Sequence, residues 1–316
     1  MDLNILERVK RRGHLLCGVS RGIHGMSFMD EARRWRGFDV DFGRAIAAAV
    51  FGDAERIAFV SLSPGERFAA LEHDAVDLLC CNATYTLCRD VGLGVSFVTI
   101  TCIDGETIMV RRDLGVVEAR KLRGLAIAFQ AGTTTEMNIR RHLEPHGVTF
   151  TPRSYDTPQD AQDAYERGEC DAYALDRIPL TGERLQLAHP EDHVLLSETF
   201  SKEPMGPVVK AGNPCWEKLV RWVVYLLIEA EELEVSAANI GREAGSAMAR
   251  HLLEISASAA KHLGLDPRWA FHVIAQLGNY EEIFHRNLGN ESRLGLSRGM
   301  NDLWSRGGLL YAPPFK

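Results

Sequence analysis

Three short segments carry the residue types from which a small polar ligand could be held. Thr84-Tyr85-Thr86-Leu87-Cys88-Arg89 sets an arginine five positions after a threonine. Gln130-Ala131-Gly132-Thr133-Thr134-Thr135 offers hydroxyls at a glycine turn, and Cys170-Asp171-Ala172-Tyr173-Ala174-Leu175-Asp176 ends on a carboxylate. A guanidinium is planar and donates two parallel N–H bonds to a carboxylate, a geometry that lysine cannot imitate. Exposed N–H groups at a helix start favour an anion. A free α-amino acid has the complementary needs: its carboxylate wants a fork of donors, and its ammonium wants an anionic acceptor. Each segment also has a plainer reading. Arg89 could be a surface arginine beginning a helix, Thr133 and Thr134 a simple helix cap, and Asp176 the cap of the helix that follows it.

Composition narrows the classes. A chain of 316 residues is long enough for one large or two medium domains, and 46% hydrophobic with 25% charged residues is ordinary globular material. The net charge of −7 and the lack of a long Lys/Arg run give no support for nucleic-acid binding. The most apolar helical stretch, 219–228, is too short to span a membrane and carries Arg221. Met1-Asp2-Leu3-Asn4 leads directly into a charged helical pattern around Glu7-Arg8-Val9-Lys10, so no signal peptide is expected. That start suits either a cytosolic protein or a start codon placed on a mature exported chain. Cys17, Cys80, Cys81, Cys88, Cys102, Cys170 and Cys215 are odd in number, with no zinc-like spacing and no accompanying histidines. No metal and no cofactor are expected, the cysteines read as small packing residues, and so many thiols suit a reducing compartment.

The elements that must position these residues alternate. Strands are expected at 14–19, 57–60, 76–81, 126–129, 148–152 and 171–175, with helices at 39–51, 64–71, 135–143, 158–167 and 216–230 and one opening near Arg177. An extended run at 107–111 reads as a crossover into a second lobe, and 202–207 as the return. The last ~75 residues are mainly helical in pattern. This is an α/β protein with two lobes, 1–106 with 205–316 and 107–204, and ligands of open α/β folds sit in such a cleft. The C-terminal helical extension begins at about residue 241.

Nearly the whole chain resembles the general L-amino-acid-binding proteins of polar amino-acid ABC importers, which have the class II periplasmic-binding-protein fold of two Rossmann-like lobes joined by a two-strand hinge. The resemblance rests on Lys10-Arg11-Arg12-Gly13-His14, Gly37-Phe38-Asp39-Val40-Asp41-Phe42, the run from Gln130 to Glu136, Ser201 to Gly206, Gln276-Leu277-Gly278-Asn279-Tyr280 and Gly307-Gly308-Leu309-Leu310-Tyr311-Ala312-Pro313-Pro314. The last of these is absent from shorter binding proteins of the superfamily. The resemblance implies that Arg89 takes the α-carboxylate with Thr84, Asn82, Thr133 and Thr134, and that Asp176 takes the ammonium. It also implies an ABC permease as partner, a periplasmic location and a monomer.

Departures from the pattern open a second reading. The family's cysteines at positions 43 and 128, which look like partners of Cys17 and Cys170, are Gly43 and Ala128 here. The side-chain subsite is rebuilt around Arg21, His24, Cys81 and Tyr85, and Arg21 and His24 hint at an acidic or polar ligand. A cytosolic enzyme derived from this fold, acting on an amino-acid-like substrate, is the alternative to a binding protein. Its candidate groups are His24 as acid/base and Cys81 or Cys88 as nucleophile or acid. Binding leads on the resemblance, and the enzyme reading rests on the absence of export features, since no Cys-His-Asp spacing supports a particular reaction.

Overall fold

The computed structural model describes residues 4–241 and 247–316; the start read as Met1-Asp2-Leu3 lies outside the described residues. Its two five-stranded sheets are built from the expected alternation. In the first, the order is Ile57–Leu62, Leu15–Ser20, Leu78–Leu79, Val208–Lys210, Val95–Phe97. The first three strands are parallel, and Val208–Lys210 returns antiparallel between Leu78–Leu79 and Val95–Phe97. The second sheet runs Thr151–Tyr155, Ala126–Gln130, Ala172–Asp176, Glu106–Arg111, His193–Leu195. Both are doubly covered by helices, as parallel strands joined by helical crossovers must be.

Helix Phe38–Phe51 is apolar nearly all round, so it is buried nearly all round. It packs against Pro214–Glu232 and Trp269–Leu277 in the principal core. Two smaller clusters cover the faces of the second sheet, one around Ile108, Ile127 and Ile139 and the other around Met109, Tyr165 and Tyr173.

Between the sheets runs an antiparallel pair, Cys102–Asp104 with Glu203–Met205. This pair is the crossing. The segment expected to cross, 107–111, instead belongs to strand Glu106–Arg111 of the second sheet, antiparallel to Ala172–Asp176. The C-terminal helices Ala247–Leu263, Trp269–Leu277 and Tyr280–Asn287 lie on the first lobe, and Tyr280 and Asn301 reach the hinge. The Asn301 side chain donates to the carbonyl of Ile103 at 2.9 Å and accepts from its N–H at 2.6 Å. The Tyr280 hydroxyl donates to the Thr101 carbonyl at 2.7 Å. Among the described residues no helix is long and apolar enough to cross a membrane.

Three local expectations shift. The helix expected at 64–71 is Arg67–Glu72, because the Ser63 N–H and hydroxyl both bond the Glu66 carboxylate and hold 63–66 as a turn. The strand expected at 148–152 is Thr151–Tyr155. Gly147 ends the preceding turn in the left-handed region, and the Val148 N–H bonds back to Leu143, so pairing starts later. Of 76–81, Leu78–Leu79 forms the strand proper; Asp77 and Cys80 still donate backbone N–H bonds to Leu16 and Gly18, while the Asp77 carboxylate takes the Leu16 N–H.

All seven cysteines are free. A Cβ built on Gly43 would lie 3.1 Å from Cys17 Sγ, close to the Cβ-to-sulfur separation across a disulfide. Ala128 shares a buried cluster with Cys170. Gly43→Cys should therefore cross-link to Cys17 under oxidising conditions and raise the thermal midpoint by about 3 °C or more. Intact mass before and after reduction checks the bond; two persistent free thiols at these positions would show that they do not face each other.

Candidate functional site

The cleft between the lobes is lined from both sides. The first lobe supplies Pro64, Arg67, Asn82, Thr84 and Arg89; the second supplies Glu106, Gln130, Gly132, Thr133, Thr134, Thr135, Leu175 and Asp176. It is narrow, with a cavity volume of about 20 Å³. The lobes meet at its rim, where a Cβ on Gly132 would stand 3.6 Å from Pro64 Cβ. On another side, a Cβ on Gly182 would come within 2.9 Å of the His24 carbonyl. The clamp is closed.

Local structure explains the placement of each group. Thr86 caps helix Leu87–Gly92 by accepting from the Arg89 N–H, which puts Arg89 in the first turn. Its guanidinium donates to the Thr84 carbonyl at 2.9 Å and lies over the Phe68 ring. Helix Thr135–Leu143 points its N-terminus into the cleft. The Thr133 hydroxyl turns back to the Gln130 carbonyl at 2.7 Å, whereas the Thr134 hydroxyl faces Glu203 at 3.5 Å. Asn82 accepts from the Ser20 hydroxyl at 2.6 Å. Asp176 occupies the cap position of helix Arg177–Arg184, yet its side chain caps nothing, so the carboxylate is left to the cleft. Asp171, by contrast, bonds the Ala126 N–H and ties two strands together.

The residues expected for the side-chain subsite do not converge. Arg21 pairs with Glu66 at 2.7 Å near the surface. His24 lines a different cavity, with Phe28, Arg286 and Arg293, where burial and the Arg293 charge lower its pKa. Tyr85 stacks on Phe97 with its hydroxyl toward Asp90 at 3.4 Å. Cys81 is buried beside Arg67, and burial pushes its thiol up to about 11. Cys88 is exposed. His24, Cys81 and Cys88 therefore stand apart rather than as an acid/base–nucleophile set.

Sequence reasoning missed three cleft groups. Arg67 is only 6% exposed, and its Nε has no hydrogen-bond partner. It opens a short helix whose pattern looks like packing. Glu106 and Glu203 were hidden at the edges of apolar strands. Glu203 accepts from Asn138 at 2.8 Å, from the Thr134 hydroxyl and, in a very short bond, from the Thr84 hydroxyl. Glu106 is 1% exposed, and neither oxygen has a hydrogen-bond partner of good geometry. A signal existed: a glutamate beginning a buried strand needs a partner.

Burial governs the electrostatics. It pushes the Asp104 carboxyl up to about 6, Glu106 up to about 7 and Asp176 well above the carboxylate range, with neighbouring carboxylates adding to each. It also raises Asp39, which faces Arg67, to about 7. The arrangement has arginines for an anion, hydroxyls and a helix start beside them, and a dense group of carboxylates for a cation.

A hinged two-lobe α/β clamp with a polar cleft is the architecture of a solute-binding protein. The chain belongs to the bacterial extracellular solute-binding proteins, family 3, whose model matches residues 15–243. The general L-amino acid-binding periplasmic protein AapJ of Rhizobium johnstonii is 40% identical over 98% of this chain and 92% of its own length. The glutamate/glutamine/aspartate/asparagine-binding protein BztA of Rhodobacter capsulatus is 40% identical over 98% of this chain and 93% of its own. A periplasmic binding protein from Brucella ovis with glutathione bound superposes with a TM-score of 0.96 at 39% identity, covering 99% of this chain and all of that one.

The raised carboxyls give the empty protein a defined pH response. Groups whose pKa is higher folded than unfolded contribute stability that is complete below the unfolded value and lost as pH rises through the folded one. Unfolded carboxyls titrate at about 4, so the loss begins there and is complete by about 6 for Asp104 and about 7 for Asp39 and Glu106. The thermal midpoint of the ligand-free protein should fall between about pH 5 and pH 7 and level off above that. Glu106→Gln should flatten the slope, recovering on the order of 2 kcal/mol at the upper end. A midpoint independent of pH in both proteins would contradict the burial of these carboxylates.

Proposed function

We propose that this protein binds a free L-amino acid, or a derivative keeping the same α-ammonium and α-carboxylate, as the solute-binding component of an ABC importer. The observation that carries the reading is one closed cleft with Arg89 and the start of helix Thr135–Leu143 beside the buried carboxylate of Asp176. Arg89 takes the α-carboxylate by its fork, Thr84, Asn82, Thr133 and Thr134 surround it, and Asp176 takes the ammonium. Arg67 sits where it can meet a second acceptor on the side chain. That agrees with the side chains in the name of BztA, and with glutathione, whose γ-glutamyl end has a free α-amino acid head. The residues 1–105 with 205–316 form one jaw and 106–204 the other, a monomer delivering its ligand to a permease on the periplasmic side. Contacts made only when the jaws meet drive closure, and no bond is broken.

Incubating near-stoichiometric protein with the twenty amino acids, followed by ultrafiltration and mass spectrometry, should retain one or a few without changing their total. Depletion with a new product mass would overturn binding in favour of an enzyme. In calorimetry Arg89→Ala should weaken the retained amino acid by about a hundredfold or more, the loss of a bidentate charge pair. Unchanged affinity would remove Arg89 from the site. Asp176→Asn should weaken amino acids far more than their deaminated analogues, and equal losses would mean that this carboxylate does not face the ammonium.

A further inference from the structure

Glu106, Asp176 and Glu203 are all buried, and each offers one carboxylate oxygen within 4.8 Å of the other two. They come from separate strands: Glu106 and Asp176 from the second sheet, where the two pair directly, and Glu203 from the hinge. A primary ammonium has three N–H donors at tetrahedral angles. With charge-assisted bonds of about 2.8 Å, the three acceptors around it would lie about 4.6 Å apart. The oxygens lie within 4.8 Å of one another, a limit that this tripod meets. Two further observations point to a ligand rather than to a self-contained acidic patch. Neither Glu106 oxygen has a hydrogen bond of good geometry at 1% exposure, although Thr135 and Asn138 stand beside it, and the buried Arg67 beside the same cleft has an unpartnered Nε. Glu203 is different: Asn138, Thr134 and Thr84 already donate to it and hold it in place, with lone pairs left to accept a further donor.

We infer that Glu106, Asp176 and Glu203 form a three-carboxylate receptor for a primary ammonium, so that this cleft selects primary α-amino acids and their γ-linked derivatives over N-alkylated ones. This deepens the amino-acid reading and rests on it. Asp176 alone would accept a secondary ammonium nearly as well as a primary one, since two N–H donors still reach it and one neighbour. Three acceptors in a tripod leave no place for an N-substituent. The charged and titratable groups around the tripod are Asp104 on the first hinge strand, Arg67 and Arg89 from the first lobe, and the buried Cys102 behind Asp176. Arg67 and Arg89 stand on the first-lobe side, so the site is polarised along the ammonium-to-carboxylate axis of an amino acid. A bare divalent cation has no use for that polarity.

The test uses the full chain and whichever of the twenty amino acids the retention assay selects, together with its N-methyl derivative and its deaminated acid. Calorimetry should give N-methylation a penalty on the order of tenfold or more. Glu106→Gln, and separately Glu203→Gln, should weaken the primary amine and shrink that penalty to a few-fold at most. Circular dichroism and the thermal midpoint establish that each variant is folded. Equal binding of primary and N-methyl amines by the unaltered protein would overturn the tripod while leaving amino-acid binding intact. So would an unchanged penalty in both folded variants. Calcium or magnesium titrated alone, binding and competing with the amino acid, would overturn it in favour of a metal site. Retention of no amino acid would overturn both readings together.

Discussion

One carboxylate joins the moving parts of this molecule. Glu203 lies on a hinge strand, takes a hydroxyl from Thr84 on the first lobe, and takes a hydroxyl and an amide from Thr134 and Asn138 on the second. Buried bonds to a charged acceptor contribute about 1.5–3 kcal/mol each, and a buried carboxylate left without them is strongly unfavourable. The closed arrangement of the jaws is therefore coupled to the satisfaction of this one group. Separating the lobes would take away donors from one side or the other unless water or a ligand replaced them.

Around that point the rest of the structure is scaffolding of differing stiffness. The second sheet delivers Glu106 and Asp176 as directly paired neighbours on adjacent strands, so their separation is fixed by backbone hydrogen bonding rather than by side-chain choice. Arg89 is fixed less rigidly, by a one-turn helix and a carbonyl bond, a setting in which the side chain can adjust to a ligand carboxylate. The hinge strands are held from behind. Asn301 replaces a missing strand partner for Ile103, and the buried Arg298–Glu231 pair anchors the tail that carries it. The C-terminal extension thus stiffens the first lobe up to the hinge.

The site combines groups that would repel one another in isolation. Asp104, Glu106, Asp176 and Glu203 gather in a space from which water is largely removed, and burial raises three of them toward neutrality. Such an arrangement is unfavourable without a cation. The same unfavourable term gives a cationic ligand group its leverage, because relief of the repulsion is gained only when the ligand enters.

The sequence by itself determined the α/β alternation and the two lobes, because period-two and period-3.6 patterns and turn residues are local properties that survive in one dimension, while the family was legible as a resemblance in particular motifs along the chain. It also determined Arg89, Thr84, Thr133, Thr134 and Asp176 as a group, since an arginine after a hydroxyl loop, a Gly-Thr turn before a helix and an acid ending an apolar strand are each legible where they stand. Only the tertiary structure decided which polar residues near the loops reach the cleft. Arg21 and His24 belong to a loop that leads away from it, one drawn off by Glu66 and the other by the C-terminal extension. Arg67, Glu106 and Glu203 looked like a helix start and strand edges, and became cleft residues because strand pairing and hinge closure brought them together across more than a hundred positions of chain. That convergence is a property of the pairing register, which no local spacing encodes.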